Sequence, residues 1–394
     1  MPPKVIGFLF LIPVGIFNNY LFSDANLPLL AFCFILSSLV LSRGRIPRKL
    51  FGKLSIILLS FLIYSFLLID KRFLLNQKNI FLALNSQETI DLLFYFSCFF
   101  SASIIYTQSK RFSKSLWYFI VYYIFAFIIR NSFDIKDLQD GANLSSGITI
   151  FSLIPFVFLC PDQKTPIWFP NLAAILCALW LALIGARTAT FAVLFFILAF
   201  WLWPFISKSK RRYLAFFISI LGTVVLFYIL YLNVISYTNT SIFENNKIGI
   251  LQKDLGTRVD IWKHLIYIIK DSPWFGHGAS QSTSTVEPLS FLEFSFNRGN
   301  LGSHSLYFEL LYRLGLVGLL LFLFFVTILW CYFWKGKAER IVQVAAIYLA
   351  ALLLFATTCQ VFIFNSVLKI NSAFMWIIFG LATGATINKK MRRQ

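Results

Sequence analysis

The chain has 394 residues, of which 59% are hydrophobic and only 13% charged, with a mean hydropathy of +0.77. These values exclude an ordinary soluble globular protein and fit an all-α, polytopic membrane bundle. The net charge of +19 would suggest nucleic acid in a soluble chain, but here the basic residues lie between apolar runs, where they set orientation, and no nucleic-acid partner is expected.

In chain order the apolar runs are Val5 to Phe22, Leu27 to Leu41, Leu54 to Ile69, Thr89 to Tyr106 and Ser115 to Ile129. Gly147 to Cys160, Asn171 to Gly185, Ala189 to Ile206, Tyr213 to Leu232 and Ser305 to Trp334 follow, and Ile341 to Cys359 and Ala373 to Ile387 close the chain. Each is near the length that crosses a hydrocarbon core of about 30 Å, so about 12 transmembrane helices are expected. They form one membrane domain over residues 1–394, with a large helical loop region at 233–304. Gly147 to Cys160 is short for a span, and Ser305 to Trp334 is long enough to begin outside the bilayer or to tilt. The cysteines at 33, 98, 160, 177, 331 and 359 fall in or at the ends of apolar runs, which reads as packing rather than a disulfide framework or a thiolate metal site.

With both termini inside, most of the 35 basic residues fall in short inside segments, among them Arg43 to Lys53, Lys110 to Lys114, Lys208 to Arg212, Lys335 to Arg340 and Lys389 to Arg393. Of the 16 acidic residues only Asp162 and Glu339 do so. That asymmetry fits twelve spans. It puts Arg187, the loop from Asn233 to His304 and the acidic loop around Asp134 to Asp140 on one outer face. An arginine at a helix end can simply snorkel; the tight hairpin around Arg187 holds its guanidinium near the outer boundary.

Within the long loop, Thr257 to Asp271 places Val259, Trp262, Leu265, Ile266 and Ile269 on one helical face and Arg258, Lys263 and Lys270 on the other. This pattern predicts a short amphipathic helix lying in the membrane interface, anchored by Trp262. Pro273 and Gly276-His277-Gly278 end it, and the latter reads as a turn rather than a phosphate loop. Ser303 is a candidate helix N-cap before the last long apolar run. His304 stands where the loop re-enters the membrane. Glu309 and Arg313 follow at i, i+4 spacing, and a charged pair in an apolar run implies either an internal salt bridge or a ligand. His264 and His277 lack carboxylate or thiolate neighbours at metal-ligand spacing, so no metal site and no cofactor are expected.

Four motifs together resemble the superfamily of O-antigen ligases and O-antigen polymerases. They are Ala186-Arg187-Thr188-Ala189-Thr190 after a span, Leu255-Gly256-Thr257-Arg258 opening the loop helix, Asp271-Ser272-Pro273 closing it, and His304-Ser305 with Glu309 and Gly315-Leu316-Val317-Gly318 beyond. The likeness covers roughly residues 184–320 and departs at Ser305, where many members carry asparagine. The spacing looks most like the ligase. That resemblance implies a multi-pass protein of the bacterial inner membrane with a periplasmic site. It also implies an undecaprenyl-diphosphate-linked glycan as donor and the lipid A core as acceptor, in a metal-independent inverting transfer. Under it, Arg187 and Arg258 bind the diphosphate, because guanidinium matches phosphate oxygens bidentately. His304 is the general base, since imidazole has an ordinary pKa of about 6.5, and Glu309 and Arg313 are further substrate-binding candidates. The polymerase differs only in taking a second lipid-linked glycan as acceptor. A lipid or polysaccharide transporter would place polar groups and broken helices near the bilayer midplane, and the spans before residue 305 carry almost no charge there.

Overall fold

The computed structural model describes residues 87–109, 142–159, 168–183, 186–208, 261–278 except 263, 303–357, 359 and 369–391, together with Ser60, Ile63 and Tyr64. Besides the helical residues 261–262 and 264–269 and the helical positions 60, 63 and 64, seven longer helices fall in these stretches, and among the described residues there is no strand. They are α1 (Gln87–Ser109), α2 (Ala142–Val157), α3 (Trp168–Leu183), α4 (Arg187–Ile206), α5 (Leu306–Gly336), α6 (Arg340–Phe355) and α7 (Lys369–Met391). Each coincides with an expected apolar run, and α2 begins earlier than the run from Gly147. The runs Val5 to Phe22, Leu27 to Leu41, Ser115 to Ile129, Tyr213 to Leu232 and most of Leu54 to Ile69 lie outside the described residues. By length and composition, Thr188–Ile206 and Leu306–Gly336 can cross a membrane, and five further apolar helices are shorter.

Helix α6 is the buried centre. Val342, Val344, Ala345, Tyr348, Leu349, Ala351 and Phe355 show almost no surface, because α2, α4, α5 and α7 surround it. Aromatic rings knit these helices together. Phe151 lies 5.0 Å from Tyr348 and 4.7 Å from Phe355, Phe158 lies 5.0 Å from Phe196, and Tyr348 lies 5.8 Å from Phe379. Helices α1 and α7 make the most intimate pair. A Cβ at Gly380 would come within 2.3 Å of the Phe99 carbonyl oxygen, and one at Gly384 within 2.4 Å of that of Ser103. Small residues one turn apart thus let the two backbones meet, as in membrane helix pairs. The Ser103 hydroxyl, 2.8 Å from the Gly380 carbonyl oxygen, adds a polar tie.

The outward surface has a different character. Leu172, Ile175, Leu176, Leu179 and Leu183 form an exposed stripe on α3, and Leu194, Leu198, Trp201, Leu202 and Phe205 another on α4. Stripes of this extent would be a liability in water. They are what a lipid-facing surface requires.

One end of the bundle is basic. Lys337 donates to the Ser207 carbonyl oxygen and lies over the Trp334 ring at 4.5 Å, Trp203 donates to the Lys337 carbonyl oxygen, and Arg340 donates to that of Phe158 at 3.1 Å while stacking on Phe200. The ends of α2, α4 and α5 and the start of α6 therefore gather there, and Gly336 packs on Thr386 near the end of α7. Since α1 runs parallel to α7, its Ser103 end points the same way. At the opposite end lie the start of α4 and the junction of α6 with α5, where Leu306 N–H donates to the Ala356 carbonyl oxygen at 2.9 Å. Gly147, near the start of α2, packs on Ala186 and Ala189 at this same end.

Candidate functional site

At the end opposite the basic cluster, α5 is broken. Gly315 adopts φ 67° and ψ −169° inside it, so two hydrogen bonds of the α-helical ladder cannot form: Leu316 N–H to the Tyr312 carbonyl oxygen and Val317 N–H to that of Arg313. The loop segment 273–278 takes all four groups. Leu316 N–H donates to Pro273 and Val317 N–H to Trp274, at 2.8 and 3.2 Å; in return His277 N–H donates to Tyr312 and Gly278 N–H to Arg313, at 2.8 and 3.0 Å. Two backbones can lie this close only where both lack a side chain. A Cβ on Gly276 would sit 2.4 Å from the Arg313 carbonyl oxygen, and one on Gly315 would sit 2.3 Å from that of Trp274. Gly276 also needs φ 65°. The Tyr64 hydroxyl completes the junction by donating to the Leu314 carbonyl oxygen at 2.9 Å. The part of α5 beyond the break, residues 316–336, is about 31 Å long and fills a hydrocarbon core unaided. Residues 306–314 form a separate segment above it.

That upper segment carries the polar residues. Glu309 shows 0% of its surface and Arg313 6%, and Arg313 Nε donates to Glu309 Oε1 at 2.6 Å. The other carboxylate oxygen, Oε2, accepts from the Ser303 hydroxyl at 3.1 Å. Ser303 is itself wholly buried; its hydroxyl also lies 2.9 Å from the Ser305 carbonyl oxygen, and its own carbonyl accepts from Trp262 Nε1 at 2.8 Å. Between the two serines, His304 is half-buried and takes φ 46°, the one non-glycine residue with positive φ among the described residues. For an L-residue the left-handed region costs about 1–2 kcal/mol. Backbone of this kind persists where neighbours enforce it.

The structure places the expected site residues unequally. His304 and the start of α4 at Arg187 lie at the same end of the bundle; the Arg187 side chain and the whole of Arg258 lie outside the described residues. Glu309 and Arg313 form the internal salt bridge, joined by Ser303. Ser303 is not the N-cap. That position belongs to Ser305, with extended φ −146° and ψ 126° and no side-chain capping bond, because Ser303 is turned toward Glu309. Trp262 is not a lipid anchor but points inward, stacked on Phe308 at 5.4 Å. The exposed large apolar side chains of its segment are Ile266 and Tyr267, followed by Trp274 and Phe275. Gly276-His277-Gly278 is a turn, as its composition indicates, and its partner is Gly315. The remaining histidines are placed differently from His304: His277 stacks on Tyr312 at 4.7 Å, and His264 is buried, with neither ring nitrogen hydrogen-bonded among the described residues. No group of three His, Cys, Asp or Glu side chains clusters among the described residues. The roles of Ser303 and Trp262 had no signal in the sequence, since a serine before a helix reads as a cap and a loop tryptophan as an anchor.

Residues 172–323 match a family model described as O-antigen ligase. The match begins in α3, contains Arg187, Arg258 and His304, and runs through the break at Gly315 into the long apolar part of α5. No curated protein matches the chain.

Proposed function

Because residues 172–323 match the O-antigen ligase family model, we propose that this chain belongs to that family and transfers glycan from undecaprenyl diphosphate to a sugar hydroxyl of the lipid A core. The site faces the periplasm of a bacterial inner membrane, and the basic end of the bundle faces the cytoplasm, in keeping with the positive-inside rule. The family sits in a superfamily of glycan ligases and polymerases, and a transfer of glycosyl groups is common to both.

In the proposed step the acceptor oxygen bonds to the anomeric carbon as the bond from that carbon to the diphosphate oxygen breaks, which inverts the configuration. The acceptor proton passes to His304, and the electron pair leaves on the diphosphate. Arg187 and Arg258 balance the charge that grows there, since fixed cations at a leaving group stabilise the transition state and guanidinium remains charged in a partly dry site. The observation that carries the reading is the position of His304. It is half-buried at the end of the bundle where Arg187 opens α4, held in a backbone conformation that proteins keep for functional positions.

The test is transfer in nanodiscs with purified lipid-linked donor and either acceptor. Transfer to lipid A core, lost in His304→Ala and unaffected by chelators, is expected. Transfer only to a second lipid-linked glycan would reassign the chain to the polymerases. A chelator-sensitive reaction restored by a divalent ion would move charge balance from the arginines to a metal.

A further inference from the structure

We propose that Ser303, Trp262 and the Glu309 to Arg313 pair are positioning residues for His304, fixing its left-handed backbone and with it the place where the imidazole meets the acceptor. The inference rests on His304 as the base. Both peptide planes that flank His304 are anchored. On the near side the Ser303 carbonyl is held by Trp262 and its hydroxyl by Glu309; on the far side Ser305 N–H returns to the Ser303 hydroxyl at 3.3 Å, and the Ser305 carbonyl accepts Glu309 N–H at 3.0 Å. A buried ion pair is a poor source of stability. Its use here is to give the Ser303 hydroxyl an acceptor that cannot move, because Arg313 holds the other oxygen of the same carboxylate. The bond from Trp262 has a second consequence. Trp262 lies four positions after Arg258, so the segment carrying the proposed diphosphate ligand is tied directly to the backbone of the base.

The test uses the full chain in nanodiscs with Trp262→Phe, Ser303→Ala and Glu309→Gln. Phenylalanine keeps a ring to stack on Phe308 and deletes only the N–H donor. Each variant is expected to lose about 10- to 100-fold in kcat, the scale of a small misplacement of a reacting group, with KM for the lipid-linked donor little changed. Ser303→Thr, which keeps the hydroxyl, should recover most of that loss. Independently of turnover, carbethoxylation of His304 followed by peptide mass spectrometry should change rate several-fold in the three variants while that of His277 stays constant. Wild-type kcat together with an unchanged His304 modification rate in all three would overturn the proposal. So would parallel changes at His304 and His277 with a matching fall in melting temperature, which would mean general loosening. Undiminished transfer by His304→Ala would remove the base assignment itself, and the modification rates would then decide the positioning claim alone.

Discussion

At single residues, the proposed mechanism separates groups that meet substrate from groups that hold them. Arg258→Lys keeps a positive charge but loses the bidentate fork, so a drop in kcat/KM of at least about tenfold is expected from one lost charge-assisted hydrogen bond. Equal turnover at equal expression would demote Arg258 to an interfacial anchor. His304→Ala should cost about 10²- to 10⁴-fold, the range of a positioned general base, and leave binding of the donor intact in a filter assay. The salt bridge behaves differently because breaking it on one side also costs stability. Glu309→Ala leaves the buried Arg313 without its carboxylate partner and should destabilise by about 3–5 kcal/mol, read as a lower melting temperature in detergent. Replacing both Glu309 and Arg313 by methionine should restore most of that stability and still show the loss of about 10- to 100-fold in kcat, since the Ser303 hydroxyl then has no carboxylate to hold it. A stable and fully active double variant would show that the pair matters only for folding.

At the level of elements, the junction between the 273–278 turn and the break in α5 depends on two glycines. Gly276→Ala and Gly315→Ala each force a side chain into a left-handed backbone and into a carbonyl about 2.4 Å away, which should cost about 3 kcal/mol from the two penalties together. The expected result is loss of folded protein or a strongly lowered melting temperature. Wild-type melting temperatures for both would mean that the loop does not pack as described. The helices themselves were legible, since long apolar runs leave the chain little choice but a helix that satisfies its own backbone. The break was not legible. Gly315-Leu316-Val317-Gly318 within an apolar run looks like ordinary helix, and what opens it is a backbone partner some forty residues earlier in the chain. The Glu309 to Arg313 pair could be read from i, i+4 spacing, but its third member could not, because Ser303 is recruited by the left-handed turn at His304. A broken helix is also what a transporter would show. In α5 the groups freed by the break are taken by the loop and not offered to a solute.

Over the whole molecule, the proposed orientation of the site rests on charge, and the packing of the described helices agrees with it. The positive-inside pattern requires the segments after α1, α2, α4, α5 and α7 to share a side. The packing brings the ends of α2, α4 and α5 to one cluster around Lys337 and Arg340, with α7 and the parallel α1 directed toward the same end. Chain alternation then sends the start of α4 and the His304 turn to the opposite face. Two positions outside the described residues expose this arrangement to a direct test. A reporter fused after Ser209, which follows α4 at the basic end, should be active only in the cytoplasm. One fused after Ser241, beyond the next apolar run Tyr213 to Leu232, should be active only in the periplasm. Cytoplasmic activity at both would mean that Tyr213 to Leu232 does not cross, and the loop with Arg258 would then lie on the wrong side to meet His304. Reversal of both would turn the whole bundle over, leaving the residues together but placing the reaction where the cytoplasmic face of the membrane would have to supply donor and acceptor.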